Sequence, residues 1–342
     1  MKRVVFDEMV LETSEHTRPV LAAVVVTFNR FAQLKTTLTR LLNDSSDTLM
    51  HVIVVNNGSL DGTREWLDTI KDPRLDAIHL EDNLGGAGGF ALGMRRAFET
   101  HHADWVVVMD DDSRPFDGAL ETFVSVPRDD ATAYGAAVYY PDGQICEMNR
   151  PSLNPFWHPR VFLNALMKQR DGYHIPYDAY DHNDRRAIDM TSFVGFFVSK
   201  RIVQAVGYPD PNLFLYGDDV LYTMGVRRQG FEMRFDPHVK FEHDCSTFSA
   251  DKHRRFIPLW KVYYLYRNGL MTYRSAAGPL FWLLVPVLTL KWSLAAKRYG
   301  AERTRYRRLM WHAISDAIRA KTDRSHKSIV ALAQSEDTSS ET

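Results

Sequence analysis

Hydrophobic and polar positions alternate in two rhythms between residues 20 and 109. Short apolar runs rich in β-branched residues are typical of buried strands, and segments with apolar residues every three or four positions are typical of amphipathic helices. The predicted strands are Val20–Thr27, His51–Val55, Ala77–Leu80 and Trp105–Met109, and the predicted helices are Phe31–Leu42, Thr63–Ile70 and Ala87–Phe98. This strand–helix–strand order predicts a parallel sheet with helices on both faces.

The pattern weakens in the middle of the chain and then returns. The stretch from about Tyr139 to Arg186 is rich in Pro, Asn, His and aromatic residues, and it predicts long loops with short strands. A strand at Ile188–Ser199 and helices at Lys200–Val206 and Val220–Arg228 follow. The next region is largely helical, and the polar string from about Ser325 predicts disorder.

Composition narrows the class of protein. The chain has 342 residues, 45% of them hydrophobic and 25% charged, which is ordinary for a globular protein with a substantial core. Lys and Arg number 42 against 43 Asp and Glu, so no overall positive field would recruit nucleic acid. Two cysteines make a disulfide framework implausible and favour a reducing compartment. The N-terminal segment does not resemble a signal peptide, so a cytoplasmic protein is expected.

Three consecutive carboxylates, Asp110, Asp111 and Asp112, directly follow the apolar run Trp105–Met109. Open α/β sheets bind their ligands at the carboxyl ends of the strands, so these acids are expected at a binding edge. Like charges this close repel one another, and oxygen-rich clusters suit Mg²⁺ or Mn²⁺. A divalent metal site and a solvated acidic turn both fit the triplet taken alone.

The other predicted strands of this region also end in polar or glycine-rich segments. These segments are TFNR from Thr27, NNGS from Asn56 and NLGGAGGF from Asn83. All of them would line the same edge of a parallel sheet. Backbone N–H groups of the glycine-rich run could approach a phosphate closely at a helix N-terminus. A turn that permits tight helix packing is the alternative.

Six motifs then stand in a fixed order along the chain. They read VTFNR, VVNNGSLDGT, NLGGAGGF, VVVMDDDSRP, TSFVGFFVSKRIVQAVG and FLYGDDVLYTMGVRRQGFEMRF. On these motifs the chain resembles family 2 glycosyltransferases of the GT-A fold, over about Val20 to Leu270. Within that family it is most similar to galactofuranosyltransferases, followed by bacterial rhamnosyltransferases. The resemblance implies an α/β fold with a Rossmann-like, mostly parallel sheet flanked by helices and a helical C-terminal extension.

The resemblance also implies roles for individual residues. Asp110 and Asp112 would hold Mn²⁺ or Mg²⁺ on the donor diphosphate, and His243 would complete the metal site. Asp219 matches the catalytic base and Asp218 its supporting neighbour. The implied donor-binding positions are Thr27, Asn29, Asn56, Asn83, Gly85, Gly86, Asp110 and Asp111. The sequence departs from the family at Asn56, where many relatives carry an aspartate that contacts the nucleotide base.

The implied chemistry accounts for these residue types. Breaking a glycosyl–diphosphate bond builds negative charge on the leaving group, which a metal would neutralise. A separate carboxylate must take the proton of the acceptor hydroxyl as it attacks the opposite face of the sugar, inverting the anomeric centre. Asp219 can also stabilise the N-terminus of the helix Val220–Arg228, and the two roles are compatible. His243 taken alone is typical of a structural histidine.

We therefore expect a metal-dependent inverting glycosyltransferase that transfers a sugar to a glycan or lipid-linked acceptor in cell-surface polysaccharide biosynthesis. UDP-galactofuranose is the first-choice donor and dTDP-rhamnose the second. Among other enzymes, a sugar nucleotidyltransferase or a metal phosphohydrolase would also need clustered acids. The alternative outside enzymes is a non-catalytic nucleotide-sugar-binding protein.

The expected domain order begins with an N-terminal extension at 1–19. A catalytic domain at 20–250 follows, with donor half 20–125 and acceptor half 126–250, then a helical region at 251–324 and a disordered tail at 325–342. The helical region contains an apolar stretch and a cationic run, which suggest contact of residues 278–308 with anionic lipid at the inner face of the cytoplasmic membrane. Docking of this segment on the catalytic domain is the alternative. The stretch from Leu280 to Leu290 contains Pro286 and is shorter than the ~20 residues that span a bilayer.

Overall fold

The computed structural model describes residues 18–245 and 255–335. The strands in these ranges are β1 Leu21–Thr27, β2 His51–Asn56, β3 Leu75–His79, β4 Trp105–Asp110, β5 Ser113–Pro115, β6 Thr132–Tyr139, β7 Arg186–Ala187, β8 Phe196–Ser199 and β9 Glu232–His243. The α-helices are α1 Phe31–Leu42, α2 Thr63–Thr69, α3 Gly85–Arg95, α4 Ala119–Val124, α5 Pro159–Lys168, α6 Lys200–Val206, α7 Asp218–Arg228, α8 Lys261–Ala277, α9 Phe281–Ala295, α10 Arg303–Ile318 and α11 His326–Gln334.

One sheet runs through the N-terminal part of the described chain. Its strands follow the order β3-β2-β1-β4-β8-β6-β9-β5, and β7 pairs with β9. The pairs among β3, β2, β1 and β4 are all parallel, and β1 is buried along its whole length. Beyond β4 the sheet is mixed, because β8 is antiparallel to both β4 and β6. The predicted α/β sheet flanked by helices is confirmed, and the mixed half is an addition.

Hydrophobic cores cover both faces of the sheet, because successive side chains of a strand point to opposite sides. Alternate residues of β1 belong to one core and the intervening residues to the other. α3 lies unusually close to the sheet. A β-carbon on Gly89 would lie 2.5 Å from Val26, and one on Gly93 would lie 2.4 Å from Val24. The two glycines therefore allow the helix to approach the sheet more closely than any other residue would.

The C-terminal region is helical, as predicted, and has a core of its own. Tyr263 of α8, Tyr306 of α10 and Ile329 of α11 are fully buried in it. Phe214 belongs to the same core, although it precedes α7 in the sheet domain. The helical region is thereby joined to the loop that leads into the second acidic pair.

α9 differs from its neighbours because Phe281 is its one buried residue. Trp282, Leu283 and Val287 are between 57% and 69% exposed. Among the described residues, the helical stretch Lys261–Ile318, which comprises α8, α9, α10 and the short segments between them, contains a window apolar and long enough to cross a membrane by length and composition alone. Only 11% of its most apolar window is buried within the protein.

Two predictions in the middle of the chain were partly wrong. The region predicted to form loops and short strands contains the helix α5, which begins at Pro159. Proline lacks a backbone N–H group, but the first N–H groups of a helix have no acceptor within the helix, so proline is tolerated there. The strand predicted at Ile188–Ser199 is restricted to β8. Gly195 interrupts it with a φ of +67°, and a β-carbon there would lie 2.7 Å from Ala136, so the chain turns at this glycine.

The prediction of disorder from Ser325 was also wrong for the part that the structure describes. The Ser325 side chain accepts a hydrogen bond from the Ser328 backbone N–H and caps α11. Ile329 and Ala333 then pack into the C-terminal core. Residues 336–342 of the predicted tail and residues 1–17 of the predicted extension lie outside the described residues.

Candidate active site

The acidic triplet lies at the carboxyl end of β4, beside the end of β1. Asp110 is the register partner of Val26, so the next residue of β1, Thr27, reaches the triplet directly. Thr27 Oγ1 donates to the buried carboxylate of Asp111 over 2.7 Å. From α1, Thr37 Oγ1 donates to the Asp111 backbone oxygen over 2.8 Å. Asp111 and Asp112 are therefore buried in a fixed turn, with Asp110 half-buried beside them, and the solvated acidic turn is excluded.

β9 brings a histidine to the same place. β5 directly follows the triplet and pairs antiparallel with the end of β9, with Ser113 opposite His243. The Nε2 atom of His243 lies 3.1 Å from Oδ1 of Asp112. Asp110, Asp112 and His243 each offer a ligand atom, and these atoms lie within 4.8 Å of one another. Two carboxylates and an imidazole at this spacing fit a cation such as Mn²⁺ or Mg²⁺.

Arg30 is a member of this site to which the sequence analysis gave no role, although it stands in the VTFNR motif. It follows β1 and precedes α1. Its Nη1 atom lies 2.5 Å from Asp112 Oδ2 and 3.3 Å from Asp111 Oδ1. One guanidinium group thus partly neutralises two neighbouring carboxylates at the sheet edge.

The three carboxyl groups, His243 and Arg30 shift one another's pKa values. Burial, with added repulsion from Asp112, raises the pKa of Asp110 to about 7. Burial raises the pKa of Asp111 to about 6, although Arg30 opposes the shift. Burial alone would raise the pKa of Asp112, but His243 and Arg30 outweigh it and hold that pKa below its ordinary value. Burial would lower the pKa of His243, yet the hydrogen bond to Asp112 outweighs this and raises it.

The second acidic pair forms the first turn of α7. Asp218 is buried, Asp219 is half-buried, and Asp219 Oδ1 accepts a hydrogen bond from the Val220 N–H over 2.7 Å. Both acids lie in the first turn of α7, where negative charge stabilises a helix, but neither is the N-cap residue, which is Gly217, and the helix begins two residues before the predicted Val220. Burial raises the pKa of both carboxyl groups, and the charges of Asp219 and then Asp110 add to the shift at Asp218. The two acidic groups therefore interact across one site.

The loop before α7 has an unusual backbone. Phe214 and Tyr216 have φ angles of +64° and +68°, and such conformations cost a non-glycine residue about 1–3 kcal/mol each. Two fully buried side chains of α8, Arg267 and Asn268, hold the loop through its carbonyl groups. Asn268 donates to the oxygens of Leu213, Leu215 and Tyr216 over 2.8–2.9 Å, and Arg267 donates to those of Asn212 and Leu213 over 2.9–3.0 Å.

The predicted donor-binding asparagines lie at the same edge of the sheet and shape its loops. The side-chain oxygen of each asparagine accepts a hydrogen bond from a nearby backbone N–H group over 2.7–3.0 Å. The donors are Leu60 for Asn29, Ser59 for Asn56 and Gly85 for Asn83. Asn56 is also buried, with Nδ2 beside His79 at 3.2 Å. Contact of these side chains with a donor stays a prediction.

The glycine-rich run packs against the loop before α7. Gly85 has a φ of +75°, and a β-carbon there would lie 2.1 Å from the Phe214 oxygen. The Ala87 N–H donates to that same oxygen over 3.3 Å. The tight-packing alternative is therefore confirmed at Gly85. Gly86 has open space around its β-carbon position, and its contact with a donor phosphate stays a prediction.

Comparisons with known proteins agree with this geometry. The model of Glycosyl transferase family 2 matches residues 22–205. Galactofuranosyltransferase GlfT1 of Mycolicibacterium smegmatis is 32% identical over 234 residues, which cover 68% of this chain and 73% of that protein. Galactofuranosyltransferase GlfT1 of Mycobacterium tuberculosis H37Rv is 28% identical over 228 residues, which cover 66% of this chain and 70% of that protein.

The fold is also found among solved structures. A crystal structure of GalNAc-T7 with UDP, GalNAc and Mn²⁺ superposes with a TM-score of 0.50 at 11% identity, covering 77% of this chain and 53% of that one. The chain thus spans about half the length of that structural relative. The mixed sheet, with acidic residues at the carboxyl ends of its parallel strands, is that of an enzyme with the GT-A glycosyltransferase fold. The chain belongs to glycosyltransferase family 2.

Proposed function

We propose that this glycosyltransferase is metal-dependent and inverting, and that it transfers galactofuranose from UDP-galactofuranose to a glycan or lipid-linked acceptor in cell-surface polysaccharide biosynthesis. The donor assignment is supported by the two relatives named galactofuranosyltransferase, each of which aligns with about two thirds of this chain. The observation that carries the mechanism is the cluster of Asp110, Asp112 and His243 at the end of β4, whose ligand atoms lie within 4.8 Å of one another.

Asp110, Asp112 and His243 would hold the divalent cation. Bound there, the cation would stabilise the negative charge that develops on the leaving diphosphate. Arg30 adds a fixed positive charge beside the same carboxylates and would favour a diphosphate at this edge. Thr27 and Thr37 keep the Asp111 turn in place through its side chain and its backbone oxygen.

Asp219 would accept the proton of the attacking acceptor hydroxyl. A general base works best when its pKa lies close to the working pH, and burial raises the pKa of this carboxyl towards that range. Its Oδ1 atom is engaged by the Val220 N–H, which fixes the orientation of the side chain. Asp218 is more buried and would support the position of its neighbour.

A donor panel tests the substrate assignment. Ligand-observed NMR with Mn²⁺ would compare binding of UDP-galactofuranose, UDP-galactopyranose, dTDP-rhamnose and GDP-mannose, followed by a transfer assay with the bound donors. We expect UDP-galactofuranose to bind best and to be turned over. Turnover of dTDP-rhamnose without turnover of UDP-galactofuranose would replace the assignment by the rhamnosyltransferase alternative.

A substitution pair tests the metal assignment. We expect Asp112→Ala to abolish transfer and the Mn²⁺-dependent part of UDP binding. Asp117→Ala is the matched control, because it removes a carboxylate five residues further along, after β5, and the Asp117 side chain is 90% exposed. Calorimetry that shows equal Mn²⁺-dependent UDP affinity in both folded variants would contradict the metal assignment.

We also propose that α9 holds the enzyme against anionic lipid at the inner face of the cytoplasmic membrane. Its exposed apolar side chains are followed by Lys297 and Arg298, and this combination suits the boundary between lipid tails and acidic headgroups. Flotation with anionic and neutral vesicles tests the surface. A variant carrying glutamine at Leu283, Val287 and Leu290 should lose binding to anionic vesicles. The exposed Trp311 of α10 provides the control Trp311→Gln, and equal flotation of both variants would refute the proposal.

A further inference from the structure

A second group of metal-ligating side chains lies against the acidic site, on the other side of His243. Cys146, His243 and Cys245 each offer one ligand atom, and these atoms lie within 4.8 Å of one another. Cys146 is fully buried and Cys245 is partly buried, and neither forms a disulfide. Two sulfur atoms and an imidazole nitrogen are a different donor set from the carboxylates of the neighbouring site, so the two sites select different cations.

The backbone explains why these three side chains meet. His243 ends β9, and Cys245 stands two positions further along, just beyond the end of the strand, where its side chain is partly buried. The Asp244 N–H between them donates to the Asp112 oxygen over 2.8 Å, which keeps this segment beside the acidic triplet. Cys146 is supplied from the turn after β6, where its N–H donates to the Val138 oxygen over 2.9 Å.

The two nitrogen atoms of His243 face different neighbours. Nε2 lies 3.1 Å from Oδ1 of Asp112, on the carboxylate side. Nδ1 lies 2.7 Å from Oδ1 of Asn149, on the cysteine side. The same Asn149 oxygen accepts a hydrogen bond from Cys146 Sγ over 2.9 Å, and its Nδ2 atom donates to Ser192. Asn149 therefore adds an oxygen atom to the surroundings of the cysteine cluster.

We propose that Cys146, Cys245 and Nδ1 of His243 bind a thiophilic divalent cation such as Zn²⁺. Thiolate and imidazole ligands are those that Zn²⁺ prefers, whereas Mg²⁺ and Mn²⁺ prefer oxygen ligands. Binding of one Zn²⁺ ion releases three protons to solvent: the two thiol protons and the Nδ1 proton of the protonated imidazole ring, which donates to the Asn149 oxygen in the metal-free site. The Asn149 oxygen or a water molecule would complete a four-coordinate site.

Occupation of this site would act on the carboxylate site through the imidazole ring. A neutral imidazole has one nitrogen that can bind a metal and one that carries a proton. Zn²⁺ on Nδ1 keeps the proton on Nε2, where it donates to Asp112 and cannot bind a second cation. Zn²⁺ would therefore lower the affinity of the carboxylate site for Mn²⁺. This second step rests on the proposed function, whereas the binding of Zn²⁺ does not.

Cobalt spectroscopy tests the site without any measurement of activity. The chain contains two cysteines, so a thiolate-to-Co²⁺ charge-transfer band can arise only from Cys146 and Cys245. We expect the reduced full chain to show this band with one Co²⁺ bound, and Zn²⁺ to remove it by displacement. The double variant Cys146→Ser/Cys245→Ser should show no band. Absence of the band from the folded wild-type chain at saturating Co²⁺ would overturn the proposal, whether or not the variants fold.

Mn²⁺ binding measured by electron paramagnetic resonance tests the competition. With Zn²⁺ bound, we expect the Mn²⁺ affinity of the wild-type chain to fall at least about tenfold, the lower end of the loss seen when metal-site histidines are perturbed. Zn²⁺ should leave Mn²⁺ affinity unchanged in the double variant. Equal Mn²⁺ affinity of the wild type with and without Zn²⁺ would overturn the competition. A Zn²⁺-free wild type that binds no Mn²⁺ would instead refute the proposed function, and the cobalt band would still decide the cysteine site.

Discussion

The contacts between α8 and the loop before α7 predict a large loss of stability for Asn268→Ala. The carboxamide is fully buried and donates to three carbonyl groups. Leu213 keeps its hydrogen bond from Arg267, whereas the oxygens of Leu215 and Tyr216 lose their side-chain donor and Arg267 Nε loses its acceptor, the Asn268 oxygen. A buried polar group left unsatisfied costs about 1–3 kcal/mol, so with three such groups we expect the free energy of unfolding to fall by at least about 3 kcal/mol.

The same substitution should slow transfer more than it weakens donor binding. The released loop leads directly into Asp218 and Asp219, and a misplacement of about 1 Å can cost ~10²-fold in rate. Urea unfolding and the transfer rate at saturating donor are measured on one preparation. Ser275→Ala is the matched control on α8, because its hydroxyl accepts an exposed hydrogen bond from Arg228 over 3.2 Å, and we expect a change within about 0.5 kcal/mol. A folded Asn268→Ala protein with control-like stability and rate would refute this role.

Two further substitutions test contacts on either side of the site. Gly85→Ala should lower the free energy of unfolding by more than about 2 kcal/mol, because its β-carbon would lie 2.1 Å from a backbone oxygen. Gly86→Ala should lower it by nothing, because the space around its β-carbon is open. Equal unfolding midpoints of the two variants would contradict the packing of this loop. Asp236 is buried and accepts hydrogen bonds from Arg128 and Arg185, which outweigh burial and hold its pKa below the ordinary value. A depressed native pKa stabilises the protein at neutral pH and ceases to do so as the pH falls. Asp236→Asn should therefore lower the free energy of unfolding by about 3–5 kcal/mol at pH 7. The difference in unfolding free energy between the variant and the wild type should become smaller below about pH 4. A difference that stays constant with pH would contradict the charge argument.

The parallel half of the sheet could be predicted from the sequence because its signals are local. β-Branched runs separated by amphipathic segments specify buried strands and covering helices, and α1 and α6 have the predicted bounds. The meeting of Thr27 with the acidic triplet follows from the same rule, since parallel strands end at one edge. These features need no knowledge of distant parts of the chain.

The parts that were missed depend on contacts between distant segments. Arg30 became part of the site because α1 begins beside the end of β4, and Asn268 because α8 returns to the loop before α7. α11 was missed because the prediction of disorder from the polar string at the end of the chain, SEDTSSET, was carried back over the apolar residues Ile329–Ala333, and because a nine-residue helix is marginal alone. Its stability comes from packing of Ile329 into the C-terminal core, which no local pattern reports.

The division of roles between the acidic triplet and the second acidic pair is tested most directly by Asp219→Asn. Asparagine keeps the shape of the side chain and can still accept the Val220 N–H, but it cannot take a proton from the acceptor. Donor affinity by calorimetry with Mn²⁺ and the transfer rate are measured on the same folded protein. The account predicts nearly unchanged affinity and a rate lower by the ~10²–10⁴-fold that general-base catalysis contributes. Near-normal transfer would remove Asp219 from the mechanism, and loss of donor affinity together with activity would contradict the separation of the two acidic groups.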